Sequence, residues 1–396
     1  MSSPSPKIKV NFILSHKSEI YITDSTPNGE RRLFDEEFWN ALEEKVLPNF
    51  IHLYKPFNAK SGLARNVANV LYHFKNYFTV KKRADPNAIS HIFFGEEASV
   101  LRFLPLKKSV VTCLDIIPIA FPQGLKWHYR IFYKMCVKGL KKAARILAVS
   151  ENTKRDLVKY LRIEPAKIKT AYWGINKIFR PNQATAGFRK KYGLDPSKKY
   201  IVSVGALDSP RKNLGLLIKI MPRILSRIPD AELIITGYKN DTTGSPLQNF
   251  IDRENLQKRI HLLTKIPDED LCSLYNVAAV FVFPSLYEGF GLPPVEAMAC
   301  GAPVIASSNS SLPEAVGAAG ILVDSVAGFA ADPATNPANE SEFAENIIKV
   351  LGDENLRRDM IEKGFLHAKK FTWKAYADSL YETYLELNNE PNYGKN

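Results

Sequence analysis

No apolar run in this 396-residue chain approaches the about 18 residues that a membrane-spanning helix needs. The opening MSSPSPKIKV lacks the basic-then-apolar order of a secretory leader, and the NFIL that follows is too short for one. Cysteine is scarce. Cys113, Cys136, Cys272 and Cys300 are far apart and show no C-x-x-C spacing, which argues against a zinc site and for reduced thiols. The seven histidines form no cluster that would suggest another metal. A cytoplasmic protein without a metal is the expectation. What the first half lacks is acid: residues 1–180 hold 31 Lys and Arg against 15 Asp and Glu, whereas residues 181–396 hold 23 against 26. The net charge of +13 therefore belongs to the first half, where an anionic partner is expected. Nucleic acid, an anionic membrane and an acidic small molecule are the classes open to it. No finger, RNA-recognition or helix-turn-helix signature supports nucleic acid.

What the chain does have is a regular series of apolar runs separated by helical patterns. KIKVNFIL, AISHIFF, SVVTCL, ARILAVS and IKTAYWG occupy the first half, and KYIVSVGAL, AELIITG, RIHLLTK, VAAVFVFPS and APVIAS the second. Strands alternating with helices predict parallel α/β sheets. Between the two series, NKIFRPNQATAGFRKKYGLDPSKK is polar and punctuated by Pro and Gly. Two doubly wound domains, 1–180 and 181–372, are expected on either side of it, with ligands in a cleft beyond the carboxyl ends of the strands. ADPATNPANESEF (331–343) reads as a surface loop.

One stretch stands at such a strand end. SLYEGFGLPPVEAMACGAPVIAS (285–307) places Glu288 before the turn Gly289-Phe290-Gly291, and Glu296 just after Pro293-Pro294. The glycines let a ligand approach backbone amides, and the prolines suit the first positions of a helix whose free amides face the turn. Such amides favour phosphate, while paired carboxylates accept from sugar hydroxyls. Ser285 and Glu288 also fit a capping box, and Glu296 could merely complement a helix dipole. The capping box fails because Gly-Phe-Gly-Leu-Pro-Pro cannot continue a helix after Glu288. The pattern fits a ligand holding both phosphate and sugar.

The stretch resembles the E-x7-E motif of the retaining glycosyltransferases of family 4. VSVGALDSPRKNL (202–214), AVSENTKRDLVKYLRIEPAKIKTAYWGIN (148–176) and IPDEDLCSLYNVAAVFVFPS (266–285) extend the likeness over about residues 110–390. The resemblance implies a GT-B fold of two Rossmann-like domains. FTWKAYADSLYETYLEL would be a final helix crossing back, so that 373–396 packs on the first domain. It implies that Glu288 holds the donor sugar and Glu296 the nucleotide ribose, with amides around Phe290, Gly291 and Leu292 meeting sugar and diphosphate. Arg211 and Lys212, after Gly205, would stabilise the charge of the departing diphosphate, although an RK pair is also what a solvated turn would contain. The base would lie around Gly237 and Ile266. Ser61-Gly62 would open a loop on the acceptor side.

Two positions depart from the family pattern: Ala206 stands where an arginine is common, and Leu114 where a histidine is. Asp115 is then the candidate next to the reacting carbon, with a turn or helix-cap aspartate as the alternative. Asp268-Glu269-Asp270 reads as a helix start rather than a metal-binding D-x-D. The resemblance implies a nucleotide sugar, GDP-mannose before UDP-sugars, as co-substrate without a metal. The acceptor would be a glycan or lipid-linked saccharide. A nucleotide-sugar epimerase and a non-catalytic glycan-binding relative are the alternatives. LKWHYRIFYKMCVKGLKKAARI (125–146) carries cations every four residues among aromatics, and predicts a helix lying on an anionic membrane, or else a helix with a solvated basic face.

Overall fold

The computed structural model describes residues 7–14, 36–53, 75–104, 106–123, 125–181, 185–237, 246–264, 266–324 and 337–390. Gly62 lies outside them. Contacts divide the chain into two compact units. Described residues up to Gly174, together with those from Thr372 onward, form the first, and Ile175–Phe371 the second.

The first unit is built on a six-stranded sheet of β1 (Ile8–Leu14), β2 (Val46–His52), β3 (Ile89–Ile92), β4 (Ser109–Cys113), β5 (Arg145–Ala148) and β6 (Ile168–Thr170). Its order is β2-β1-β3-β4-β5-β6, and every pairing is parallel. The apolar runs SVVTC and ISHI are buried throughout, as befits strands covered on both faces. β2 is not evident in the sequence, because VLPNFIH is interrupted by proline and mostly exposed at the sheet edge. Ahead of it stands a helix, Glu36–Glu43.

The last helix, Trp373–Asn389, belongs to this unit. Its hydroxyls reach the sheet: Tyr384 meets His91 at 2.7 Å, and Tyr376 meets Thr112 at 2.8 Å. Burial pushes His91 down to about 3, so it stays neutral as part of the core. Trp373 and Tyr376 pack edge-on and stacked against Phe38. Lys45–Asp378 and Lys169–Glu382, at 2.7 and 2.9 Å, tie down the rim of the helix.

The second unit holds β7 (Lys199–Val204), β8 (Ala231–Gly237), β9 (Ile260–Thr264), β10 (Ala278–Phe283), β11 (Val304–Ser307) and β12 (Ile321–Val323). The order is β12-β11-β10-β7-β8-β9, again all parallel. β12, three residues after a Gly-Ala-Ala-Gly turn, is too short to announce itself in the sequence. Of the stretch 331–343, expected as loop, residues 331–336 lie outside the described residues, and from Pro337 the chain is instead a helix (Pro337–Gly352), whose buried face packs Phe343, Ala344 and Ile347 into the core. Strand order reverses between β7 and β10. In an open parallel sheet that reversal parts the loops leaving the two strands and opens a crevice.

Candidate active site

The loops leaving β7 and β10 carry the predicted residues. After β7 the chain makes a tight turn at Pro210–Lys212 and passes through Asn213, at a φ of 52°, into the helix Leu214–Arg227. After β10 it runs through Pro284–Gly291 into the helix Leu292–Ala299. The Leu286 amide donates to the Arg211 carbonyl at 2.8 Å, stitching one loop to the other.

Glu288 is the focus. Its Oε1 lies 2.6 Å from Lys212 Nζ, 3.0 Å from Arg211 Nη1 and 2.5 Å from Ser285 Oγ. Arg211 also donates to the Tyr287 carbonyl. Burial alone would raise the carboxyl, but the Lys212 and Arg211 charges outweigh it and hold Glu288 below its ordinary value. The Lys212 ammonium stands 5.0 Å above the Phe283 ring, and its stem crosses Gly205, where a Cβ would lie 3.1 Å from its Cγ. Gly205 thus clears the path that brings the lysine to the carboxylate. Although it stands in a loop, the carboxylate is buried.

Glu296 is buried in the middle of Leu292–Ala299, and its Oε2 accepts from Tyr275 Oη at 3.0 Å. Tyr275 escaped sequence reasoning, since a tyrosine in LCSLYNVAAV looks like core, and its ring does pack edge-on against Phe281. Pro293 and Pro294 require a correction. They take the second and third positions of the helix but have no N–H, so the amides expected to face the turn are reduced mainly to that of Leu292. Gly291, at a φ of 107°, sets the turn beneath Leu312, where a Cβ would lie 2.8 Å from Leu312 Cδ2. Phe290 turns inward against Phe371. Its backbone, not its ring, is therefore what the turn can offer a ligand.

The remaining candidates disperse. Gly237 ends β8 against Gly205, with room for no Cβ because one would fall 1.9 Å from the Gly205 carbonyl oxygen. Ile266 is half-buried ahead of the helix Asp268–Val277. Asp270 is engaged by Lys191 at 2.5 Å and Tyr192 at 2.7 Å, and among the described residues no group of three or more potential metal ligands occurs. All four cysteines are buried and none is in a disulfide, with Cys272 and Cys300 sulfurs 3.8 Å apart. Asp115 belongs to the first unit, where its Oδ1 accepts from the Ile117 amide at 2.9 Å. That is the turn role held open as its alternative.

The family described as Glycosyl transferases group 1 matches residues 185–367, and that described as Glycosyltransferase Family 4 matches residues 16–177. O-antigen chain mannosyltransferase B of Escherichia coli is 32% identical over 281 residues, 69% of each chain. The serotype-specific mannosyltransferase WbdA of Escherichia coli is 27% identical over 288 residues, 71% of this chain but only 34% of that longer one. Sucrose-phosphate synthase from Thermosynechococcus elongatus, at 20% identity, has the same fold with a TM-score of 0.72 over 96% of this chain and 99% of that one. With a pair of parallel six-stranded sheets and both halves matched, the chain belongs to the group 1 glycosyltransferases of family 4, with the GT-B fold.

Proposed function

We propose that the protein is a retaining, metal-independent hexosyltransferase. It would move mannose from GDP-mannose to a glycan or lipid-linked acceptor in the making of cell-surface polysaccharide or glycolipid. The observation that carries this reading is the Glu288–Lys212–Arg211 cluster where the strand order reverses. A carboxylate there accepts from sugar hydroxyls, and two cations meet the charge that grows on the diphosphate as the bond from C1 to phosphate breaks. The acceptor hydroxyl attacks C1 on the face the phosphate leaves, and its proton passes to a departing phosphate oxygen. No protein nucleophile is then required. Glu296, held by Tyr275, takes the ribose, and Asp115 is included as a residue of the acceptor side. Mannose is favoured by the two Escherichia coli relatives, both mannosyltransferases. A UDP-hexose is the second choice of donor.

Turnover of a panel of GDP- and UDP-sugars, with and without acceptors and chelator, tests this, with the product anomer read by NMR. GDP-mannose used with retention and unchanged by chelator is the expected result. Inversion would overturn the retaining assignment, and activity abolished by chelator but restored by manganese would overturn metal independence. An epimerised nucleotide sugar appearing without acceptor would mark an epimerase, and donor binding without turnover a glycan-binding relative.

The acceptor-side proposal includes contact with an anionic membrane. Phe103, Trp127, Ile131 and Met135 are 61, 71, 53 and 50% exposed. Arg102 Nη1 donates to the Met135 carbonyl at 3.3 Å, so residues distant in sequence share one patch. Residues 116–150 carry seven Lys and Arg and no acid. The continuous stripe read from 125–146 is shorter than expected. The helix stops at Val137, and Lys138–Lys142 follows as a 3-10 turn, because Gly139 is pressed against the Ala98 backbone. Each cation near an anionic surface contributes about 1 kcal/mol, weakened by salt. Sedimentation with anionic vesicles at low salt, lost with neutral vesicles, is the expected result. Equal recovery with both would leave a solvated basic face.

A further inference from the structure

The Glu288–Gly291 turn leans on a second loop, the one that follows β11. After β11 the chain reads Ser308-Asn309-Ser310-Ser311 and enters a short helix, Leu312–Val316. Ser311 flanks that helix at the position where serine ordinarily accepts from the helix's own amides. It makes no such bond here. Its buried hydroxyl turns back instead, 3.0 Å from the Glu288 carbonyl oxygen and 2.7 Å from that of Phe290. Ser310 adopts a left-handed φ of 49°, uncommon for a residue other than Gly, Asn or Asp. Its Oγ accepts from the Glu288 amide at 2.8 Å.

A trans peptide is planar, so each N–H points opposite to the carbonyl that precedes it. With the carbonyls of Glu288 and Phe290 both turned toward Ser311, the amides of Gly289 and Gly291 are turned to the opposite side of the turn. One hydroxyl proton lies between two carbonyl oxygens. Without it they would repel, and the glycines leave the peptides free to rotate. Ser310 holds the other end of the same residue, so Glu288 is fixed at its N–H and its C=O while its Oε1 meets the two cations.

We infer that Ser310 and Ser311 are positioning residues for donor transfer: they fix the backbone of Glu288 and set the direction in which the amides of Gly289 and Gly291 face. The inference rests on the donor-site reading proposed above. Ser311→Ala removes the shared proton, and Ser310→Gly removes the acceptor while relieving the left-handed backbone. Both should lower kcat/KM for the donor by about 10- to 100-fold, with the acceptor KM unchanged. Affinity for GDP should fall in both, and affinity for guanosine should not. Ser310→Asn, which tolerates the same φ and offers an oxygen, should recover most of the loss.

Because Ser311 is fully buried, the Ser310 pair keeps the test open should Ser311→Ala fold poorly. A merely structural serine at a strained φ predicts that Ser310→Gly is neutral or raises Tm and leaves the kinetics alone. Wild-type GDP affinity and donor kinetics in Ser310→Gly would overturn the positioning role. A wild-type chain that binds no nucleoside diphosphate would instead overturn the donor-site reading.

Discussion

In the proposed donor site Glu288 stands between two demands: as a ligand for sugar hydroxyls it would have to stay ionised, and as the counter-charge of Lys212 and Arg211 it would compete with a diphosphate for them. Glu288→Gln separates these. Transfer should fall by about 10- to 100-fold through loss of a charged hydrogen bond, whereas a nucleoside diphosphate should bind several-fold more tightly, as titration calorimetry would show. Removing one partner of a buried pair costs about 3–5 kcal/mol. The cations here keep some solvent, with side chains 23 and 14% exposed, so a loss of about 2–3 kcal/mol in urea unfolding is expected. The same carboxylate governs acid behaviour. Its folded pKa lies below the ordinary 4.5, so its contribution to stability is complete above that value and is lost as pH falls through the depressed one. Unfolding followed from about pH 7 to pH 3 should therefore lose part of its acid limb in Glu288→Gln. Both glutamates were legible because one segment carries them at fixed spacing. Arg211 and Lys212 were named as well, but not their pairing with Glu288, since 76 residues separate Lys212 from it, and a serine such as Ser311 is unremarked in any loop.

At the level of elements, the apolar runs of parallel strands are legible because burial on both faces leaves little room for polar residues. What the sequence conceals is an element whose shape is set by a neighbour. Gly139 illustrates this. Read as a helix interior, Gly139→Ala should stabilise by about 1 kcal/mol. In the structure the new Cβ would lie 1.8 Å from the Ala98 carbonyl oxygen, and backbone cannot give way as a flexible side chain does. The substitution should therefore destabilise, by about 1–3 kcal/mol as overpacked sites do, and the sign of the shift in urea midpoint decides between the readings. The edge strands β2 and β12 were missed for the opposite reason, since short or exposed strands need little sequence signal. The Pro-Pro pair was recognised as a helix start, yet its lack of N–H means that the proposed phosphate site would depend on Arg211, Lys212 and the glycine turn.

For the whole molecule, the first unit is discontinuous: it is completed by Thr372 onward, after an intervening unit that is continuous from Ile175 to Phe371. Truncation after Phe371 should leave the second unit folded and the first without the helix that covers Phe38, His91 and Thr112. Limited proteolysis would then cut the first unit and spare the second. The basic first half adds to this, because charge of one sign resists collapse of an incomplete core. The arrangement also gives the chain a history. On a ribosome adding roughly 5–20 residues per second, the almost two hundred residues of the intervening unit take about ten to forty seconds to emerge. For that interval the nascent first sheet shows the uncovered apolar surface that chaperones bind. The unit begun before Ile175 is thus finished only after the one that interrupts it.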